Sequence, residues 1–289
     1  MIEVRANEFA TRDVNPHVPF LPHEIAADAR ACHDAGAAVF HFHGRGADGA
    51  ADNSVSTCLE TVRAVRAAAP VLVHPTLGFF AHDANAETRF APVAAAMRSE
   101  STRVDLAPLD MGSVNFDRFD ADARRFETVD RVYRNPTGTL IALAGRMRAI
   151  GVAPYCVAWN VSFLRLVDAL METGTVPEPA WLCLCMTEGV LAGHPGTAAG
   201  LDAHLACLPQ RRLGWTALVY GGSVLALADR IIAKGGHISL GLGDHPHAED
   251  GLPTNAALVE RVVAMARAQG REPASVEEAR GIVGAASSH

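Results

Sequence analysis

Short runs of apolar and β-branched residues alternate along the chain with alanine-rich stretches of helical character. The runs predict strands at 2–6, 38–43, 71–75, 103–107, 154–159, 181–185, 215–220 and 237–242. Helices are expected at 22–35, 54–69, 87–99, 137–150, 161–173, 197–207, 223–234 and 255–269, with a short terminal helix at 275–283. The first helix has the clearest ends: Pro22 falls in its first turn and Gly36 follows its last. Eight strand–helix pairs over about 250 residues is the count of a (β/α)8 TIM barrel. A doubly wound sheet is the alternative, but no G-x-G-x-x-G joins a strand to a helix, so nothing supports a dinucleotide fold. No low-complexity stretch or Pro/Gly-rich linker divides the 289 residues, which predicts a single TIM-barrel domain over 1–289. One long segment, about 111–136, leaves the end of the fourth strand, and a loop of that length inside a compact domain is usually functional.

Composition narrows the chemistry. Apolar residues make up 49% and charged residues 20%, which excludes a disordered chain. No apolar run approaches the roughly 18 residues of a membrane span. The opening MIEVRANEFATRD has no apolar stretch of signal-peptide type. These features predict a soluble cytoplasmic protein with no membrane partner. The net charge of −7 argues against nucleic acid as a partner, because phosphate neutralisation needs basic clusters. The six cysteines include no C-x-x-C pair and are expected to be reduced and packed. Lys234 is the single lysine, so a Walker loop is absent and Schiff-base chemistry would have to use that residue. Thirteen histidines direct attention instead to imidazole, carboxylate and metal chemistry.

Active sites of (β/α)8 barrels lie at the C-terminal ends of the strands, and polar residues collect at those positions here. In Val39-Phe40-His41-Phe42-His43, period-two alternation puts both histidines on the face opposite the phenylalanines. Facing the barrel interior, His41 and His43 could bind one metal ion; the plainer reading is a hydrogen-bonded core pair. Thr76 follows the third strand and could bond a carboxylate or carbonyl, while His74 is either a third polar group or a wall residue. Asp110 and Ser113, after the fourth strand, and Asn160, after the fifth, are candidate substrate contacts. A turn built from Asp, Gly and Asn is the alternative at 110–115. Gly221-Gly222-Ser223 opens the seventh helix, where backbone amides could meet a phosphate such as the CoA pyrophosphate. Asp244 ends Gly241-Leu242-Gly243-Asp244 and is either a catalytic carboxylate facing the metal or a turn cap. Glu8 follows the first strand closely enough to reach the same mouth.

These residues, in this order, resemble the β-keto acid cleavage enzyme family. The resemblance runs from Asn7-Glu8 and residues 15–45 through HPTLGF (74–79), DMGSVNF (110–116) and GGHISLGLGDH (235–245) to residues 254–284. It implies a homotetrameric (β/α)8 enzyme with a divalent metal, usually zinc. Such an enzyme exchanges an acetyl unit between a β-keto acid and acetyl-CoA, giving acetoacetate and a new acyl-CoA. By the same resemblance His41 and His43 match the metal histidines and Thr76 a hydroxyl that contacts the keto acid. Asp244 matches the general base, and Glu8 an acidic residue after the first strand.

The departures are as specific as the matches. The acidic third ligand expected within G-L-E-D is Gly243, the arginine expected four residues earlier is Ser239, and acidic positions near the end of strand five are Val157 and Asn160. Two neutral histidines hold zinc poorly, since catalytic sites use three protein ligands. Glu8, Asp244 or His245 would have to complete the shell, or the chemistry has drifted. Two other classes stay open: a metal-dependent hydrolase of amidohydrolase type, which also combines H-x-H with a strand-eight aspartate, and a metal-poor binding protein that has lost catalysis.

Overall fold

The computed structural model describes residues 1–78 and 85–285. Phe79, the last residue of the HPTLGF run, lies outside the described residues, as do the last residues of the 1–289 domain range. Eight parallel strands form the core: β1 (Ile2–Arg5), β2 (Val39–Phe42), β3 (Leu72–Pro75), β4 (Leu106–Asp110), β5 (Ala153–Ala158), β6 (Ala180–Thr187), β7 (Leu213–Tyr220) and β8 (His237–Leu240). They pair in the order β3–β2–β1–β8–β7–β6–β5–β4, each in parallel register. Around them run α1 (Pro22–Ala35), α2 (Val55–Ala68), α3 (Ala86–Ala96), α4 (Thr137–Ile150), α5 (Val161–Glu172), α6 (Ala198–Ala206), α7 (Ala228–Ala233), α8 (Asn255–Ala268) and α9 (Val276–Val283). This is the expected TIM barrel. Among the described residues no helix is long and apolar enough to cross a membrane.

The ring closes between β3 and β4 through one aspartate. The Asp105 amide donates to the Val73 carbonyl at 2.9 Å, and the Asp105 carboxylate accepts from the Val73 amide at 2.8 Å. A side chain thus stands in for a strand partner. Arg66 and Arg280 neutralise the buried carboxylate at 2.5 and 2.7 Å.

Local chemistry explains the well-placed elements. Glu24 accepts from the amides of Phe20 and Leu21 at 2.9 and 2.8 Å, Pro22 fills the first turn of α1, and Gly36 ends it at φ 115°. β4 is displaced from the expected 103–107. Residues 100–102 form a 3₁₀ turn, so the strand starts later and runs on through Asp110. Pro108, which has no amide to donate, disguises this stretch as a strand end. The expected helix 223–234 is a 3₁₀ turn, Val224–Leu227, followed by the short α7.

The 111–136 loop is folded. Val114–Asn115 pairs antiparallel with Val132–Tyr133, and Phe119–Asp120 with Arg125–Phe126. Its Phe119 amide donates to the Gly189 carbonyl at 2.8 Å, which fastens it to the loop after β6 across the barrel mouth.

Candidate active site

The floor of the mouth is built by inward-facing residues of adjacent strands. β1 alternates Ile2 and Val4 with Glu3 and Arg5, and Arg5 is in register with His41, which is in register with His74. Deepest is Glu3, which accepts from His74 Nδ1 at 2.8 Å and from the Tyr155 hydroxyl. Burial pushes Glu3 up, but the His74 bond together with the charges of His74, Arg5 and His41 outweighs it and leaves the group at about 2. His74 is therefore a wall residue bonded within the barrel, of the two roles open to it.

Above this layer, Glu8 meets both candidate metal histidines. Its Oε1 lies 2.9 Å from His41 Nε2 and its Oε2 2.6 Å from His43 Nε2, with all three residues buried. Burial raises the Glu8 pKa, yet Arg5 foremost, then His43 and His41, hold it well below the usual carboxylate range. His41 Nδ1 is 2.8 Å from the His74 carbonyl, which can only accept. Burial lowers His41 to about 3 despite the Glu8 charge, so near neutral pH the ring is neutral and its single proton sits on Nδ1. A lone pair on Nε2 then faces a carboxylate oxygen. In keeping with that, His41 Nε2 has no hydrogen-bond partner among the described residues. The Glu8 oxygen it faces also meets the Arg5 guanidinium, but no proton lies between the imidazole lone pair and the carboxylate, and a cation bound between them fits this buried site. Two imidazole nitrogens and one carboxylate oxygen, all within 4.8 Å of one another, suit a divalent ion such as zinc.

Arg5 joins this group to Asp244. Its guanidinium pairs with Glu8 Oε1 through Nη2, and its Nε donates to Asp244 Oδ1 at 3.0 Å. Asp244 Oδ2 is buried with no hydrogen-bond partner among the described residues. Burial, opposed by Arg5 and reinforced by the Glu8 charge, raises Asp244 to about 8. Two carboxylates within reach of one arginine are thereby driven in opposite directions, the usual mark of distinct acid–base roles.

Asp244 borders an adjoining cavity, while Arg5, Glu8, His41 and His43 open into one with about 600 Å³ of empty space, part of it continuous with solvent. Its wall is largely aromatic and aliphatic, with Phe9, Phe116, Tyr133, Trp159, Leu218 and Tyr220. Besides Glu8, Asp110 is the acidic residue among the cavity's lining residues. Its oxygens accept from the Trp159 indole at 2.7 Å and the Tyr133 hydroxyl at 2.8 Å, while burial pushes its pKa up. Thr76 also lines the cavity.

A family model described as beta-keto acid cleavage enzyme matches residues 1–284. The chain belongs to the beta-keto acid cleavage enzyme family. It is 30% identical over 277 residues to the 3-keto-5-aminohexanoate cleavage enzyme of Acetoanaerobium sticklandii, covering 95% of this chain and 93% of the relative. It is 28% identical over 278 residues to the 3-oxoadipate:acetyl-CoA acetyltransferase of Cupriavidus necator, covering 93% and 89%. Among solved structures, apo ObcA superposes with a TM-score of 0.70 at 15% identity, over 93% of this chain and 66% of that one; this likeness concerns the fold.

Within this β-keto acid cleavage enzyme fold the remaining candidates are placed as follows. Ser113 is exposed, and its hydroxyl accepts the Asn135 amide at 2.7 Å, bracing the long loop. Asn160 caps α5, accepting from the Phe163 amide at 3.2 Å and donating to the Ala192 carbonyl at 3.2 Å. The Gly221 amide donates to the Asp244 carbonyl at 2.8 Å, and Ser223 Oγ accepts from the Leu225 amide at 3.3 Å. Gly221 borders a second mouth cavity with Arg118 and His245. His245 is drawn to Glu249, at 2.6 Å, rather than to His41 and His43. Of the three candidates to complete the metal shell, the structure brings Glu8 to the histidines. Sequence reasoning missed Arg5 and Glu3, although charged residues alternating with Ile2 and Val4 on a barrel strand are themselves a signal of an inward polar face.

Proposed function

We propose that this chain is a metal-dependent β-keto acid cleavage enzyme. It exchanges an acetyl unit between a β-keto acid and acetyl-CoA, giving acetoacetate and an acyl-CoA. The observation that carries the reading is the grouping of Glu8, His41 and His43 on an apolar cavity, joined through Arg5 to a separate buried carboxylate, Asp244, that borders the adjoining cavity. Relatives named as acetyl-CoA-dependent transferases of keto acids support it.

His41, His43 and Glu8 would hold the ion, which supplies Lewis acidity toward the 3-keto oxygen. Asp244, with its raised pKa and unpartnered Oδ2, takes a proton from C2 of the keto acid. Arg5 fixes the Asp244 carboxylate through Oδ1 and leaves Oδ2 for that proton. The C2 carbanion attacks the acetyl thioester carbon, and CoA leaves as thiolate. The thiolate then attacks the 3-keto carbon and the C2–C3 bond breaks. The electron pair left on C2 takes back the proton held by Asp244, which releases acetoacetate and the new acyl-CoA. Thr76 is assigned to the substrate carboxylate or carbonyl.

The cavity wall sets the substrate class within this reading. Both Asp110 oxygens already accept from neutral donors, and Arg5 is engaged by two carboxylates. The wall suits a keto acid with an uncharged, apolar side chain. CoA is assigned to the adjoining mouth cavity, where Arg118, whose Nε also pairs with Glu127 at 3.3 Å, is the arginine that would meet its phosphates beside the Gly221–Ser223 turn. The proposal extends to a cytoplasmic homotetramer, to be checked by light scattering at micromolar concentration.

The direct experiment incubates zinc-loaded protein with a panel of β-keto acids and acetyl-CoA, scoring acetoacetate and acyl-CoA by mass spectrometry. Turnover is expected with apolar side chains ahead of dicarboxylates. No acetoacetate from any member would overturn the assignment.

A further inference from the structure

The Glu8 side chain occupies its place because a neighbour has none. The backbone after β8 packs directly on the turn after β1, with the Gly243 amide donating to the Arg5 carbonyl at 3.0 Å. A Cβ on Gly243 would lie 2.5 Å from Glu8 Cγ, 2.8 Å from the Glu8 amide nitrogen and 2.9 Å from the Arg5 carbonyl oxygen. Nonbonded carbons settle at about 3.5–4.0 Å, so even one methyl group requires a displacement of about 1 Å. Two of the three close atoms are backbone, and the third belongs to a buried side chain, so there is little freedom to yield.

A second constraint acts on the same turn. Glu8 has φ +26°, a backbone conformation that disfavours any residue with a side chain. The turn is held in that conformation by the buried Arg45. Its Nη1 donates to the Asn7 carbonyl at 3.1 Å and the Glu8 carbonyl at 2.5 Å, its Nη2 to the Ala10 carbonyl at 2.8 Å, and its Nε to the Gly49 carbonyl at 2.6 Å. Four bonds from one planar fork make a clamp that a lysine cannot reproduce.

We infer that metal affinity in this chain is governed by two positioning residues that carry no ligand atom: Gly243, whose bare backbone admits the Glu8 carboxylate to His41 and His43, and Arg45, which clamps the strained turn that aims it. Metal–ligand distances tolerate only about ±0.2 Å, so a displacement near 1 Å removes Glu8 from the donor set. The inference rests on the metal site of the proposed function but not on the reaction.

The test is a zinc titration of the full chain against a chelating indicator, with circular dichroism to establish folding. The chain should bind one zinc ion. Glu8→Gln, nearly the same shape, should weaken binding at least 100-fold. Gly243→Ala and Arg45→Lys, which delete no donor, should each weaken it roughly 10–100-fold, the range seen when groups supporting a ligand are removed. Folded Gly243→Ala with unchanged affinity overturns the steric part, and unchanged affinity in Arg45→Lys overturns the clamp. Unchanged affinity in Glu8→Gln, or no zinc binding by the unmodified chain, overturns the whole. If Gly243→Ala does not fold, Glu8→Gln and Arg45→Lys still decide. Because the readout is metal binding, a failed keto-acid assay leaves this inference standing, and its own failure leaves that assay informative.

Discussion

Replacing Asp244 with asparagine removes the ionisable carboxyl, and with it the proton acceptor, while keeping the shape of the side chain. The asparagine oxygen can still accept from Arg5 Nε, 3.0 Å away in the parent, and Arg5 keeps Glu8 as its ionic partner. Stability should therefore change by about 1 kcal/mol or less, the scale of one exchanged hydrogen bond. Asp244 is not part of the Glu8, His41 and His43 group, so the metal content should stay at the unmodified value. Turnover should fall 10²–10⁴-fold, about 3–5 kcal/mol on the barrier, because the buried carboxylate with a pKa near 8 is lost as a base. The assay combines metal per chain by elemental analysis, turnover on an established β-keto acid, and a thermal melt of the same preparation. Near-normal turnover with full metal would reduce Asp244 to a turn residue. Loss of metal in step with turnover would make it a ligand and refute the separation of roles argued from the geometry.

Three further outcomes are expected. His41→Ala should strip most of the bound metal, and equal metal by elemental analysis in variant and parent would remove His41 from the donor set. Asp105→Ala should destabilise the barrel by about 3–5 kcal/mol in urea unfolding, because two arginines and the Val73 amide lose a buried carboxylate at once; a loss below about 1 kcal/mol would show that the β3–β4 closure does not depend on it. Burial raises Asp28 from 3.8 to about 7, against a hydrogen bond from Asn255, so the folded chain binds that proton more tightly than the unfolded chain. The stability this contributes is complete below about pH 4 and is lost as pH rises through 7; Asp28→Asn should flatten the fall between pH 5 and 8, and an unchanged fall in urea midpoint would exclude Asp28 as its source.

The barrel and its histidine pair are legible in the amino-acid order because both depend on local periodicity. Strand and helix repeats follow from backbone geometry over a few residues, and the two-residue alternation that turns Phe40 and Phe42 outward must turn His41 and His43 inward. Glu3 and Arg5 obey the same rule and were equally readable. The rule does not extend to residues beyond the strand ends. Glu8, Asp244 and His245 were interchangeable as partners of the histidines, because their positions depend on how the turns after β1 and β8 meet once the ring has closed. Packing of Gly243 against Glu8 brings one carboxylate to the histidines, Arg5 holds the second beside it, and Glu249 draws His245 away. Ser113 makes the same point from the other side. Nothing in its spacing reveals that its hydroxyl is bonded to the Asn135 amide, 22 residues away, because only the folded loop presents that amide. Asn160, directly before the expected helix 161–173, was by contrast readable as the cap of α5, since its bond to the Phe163 amide spans only 3 residues.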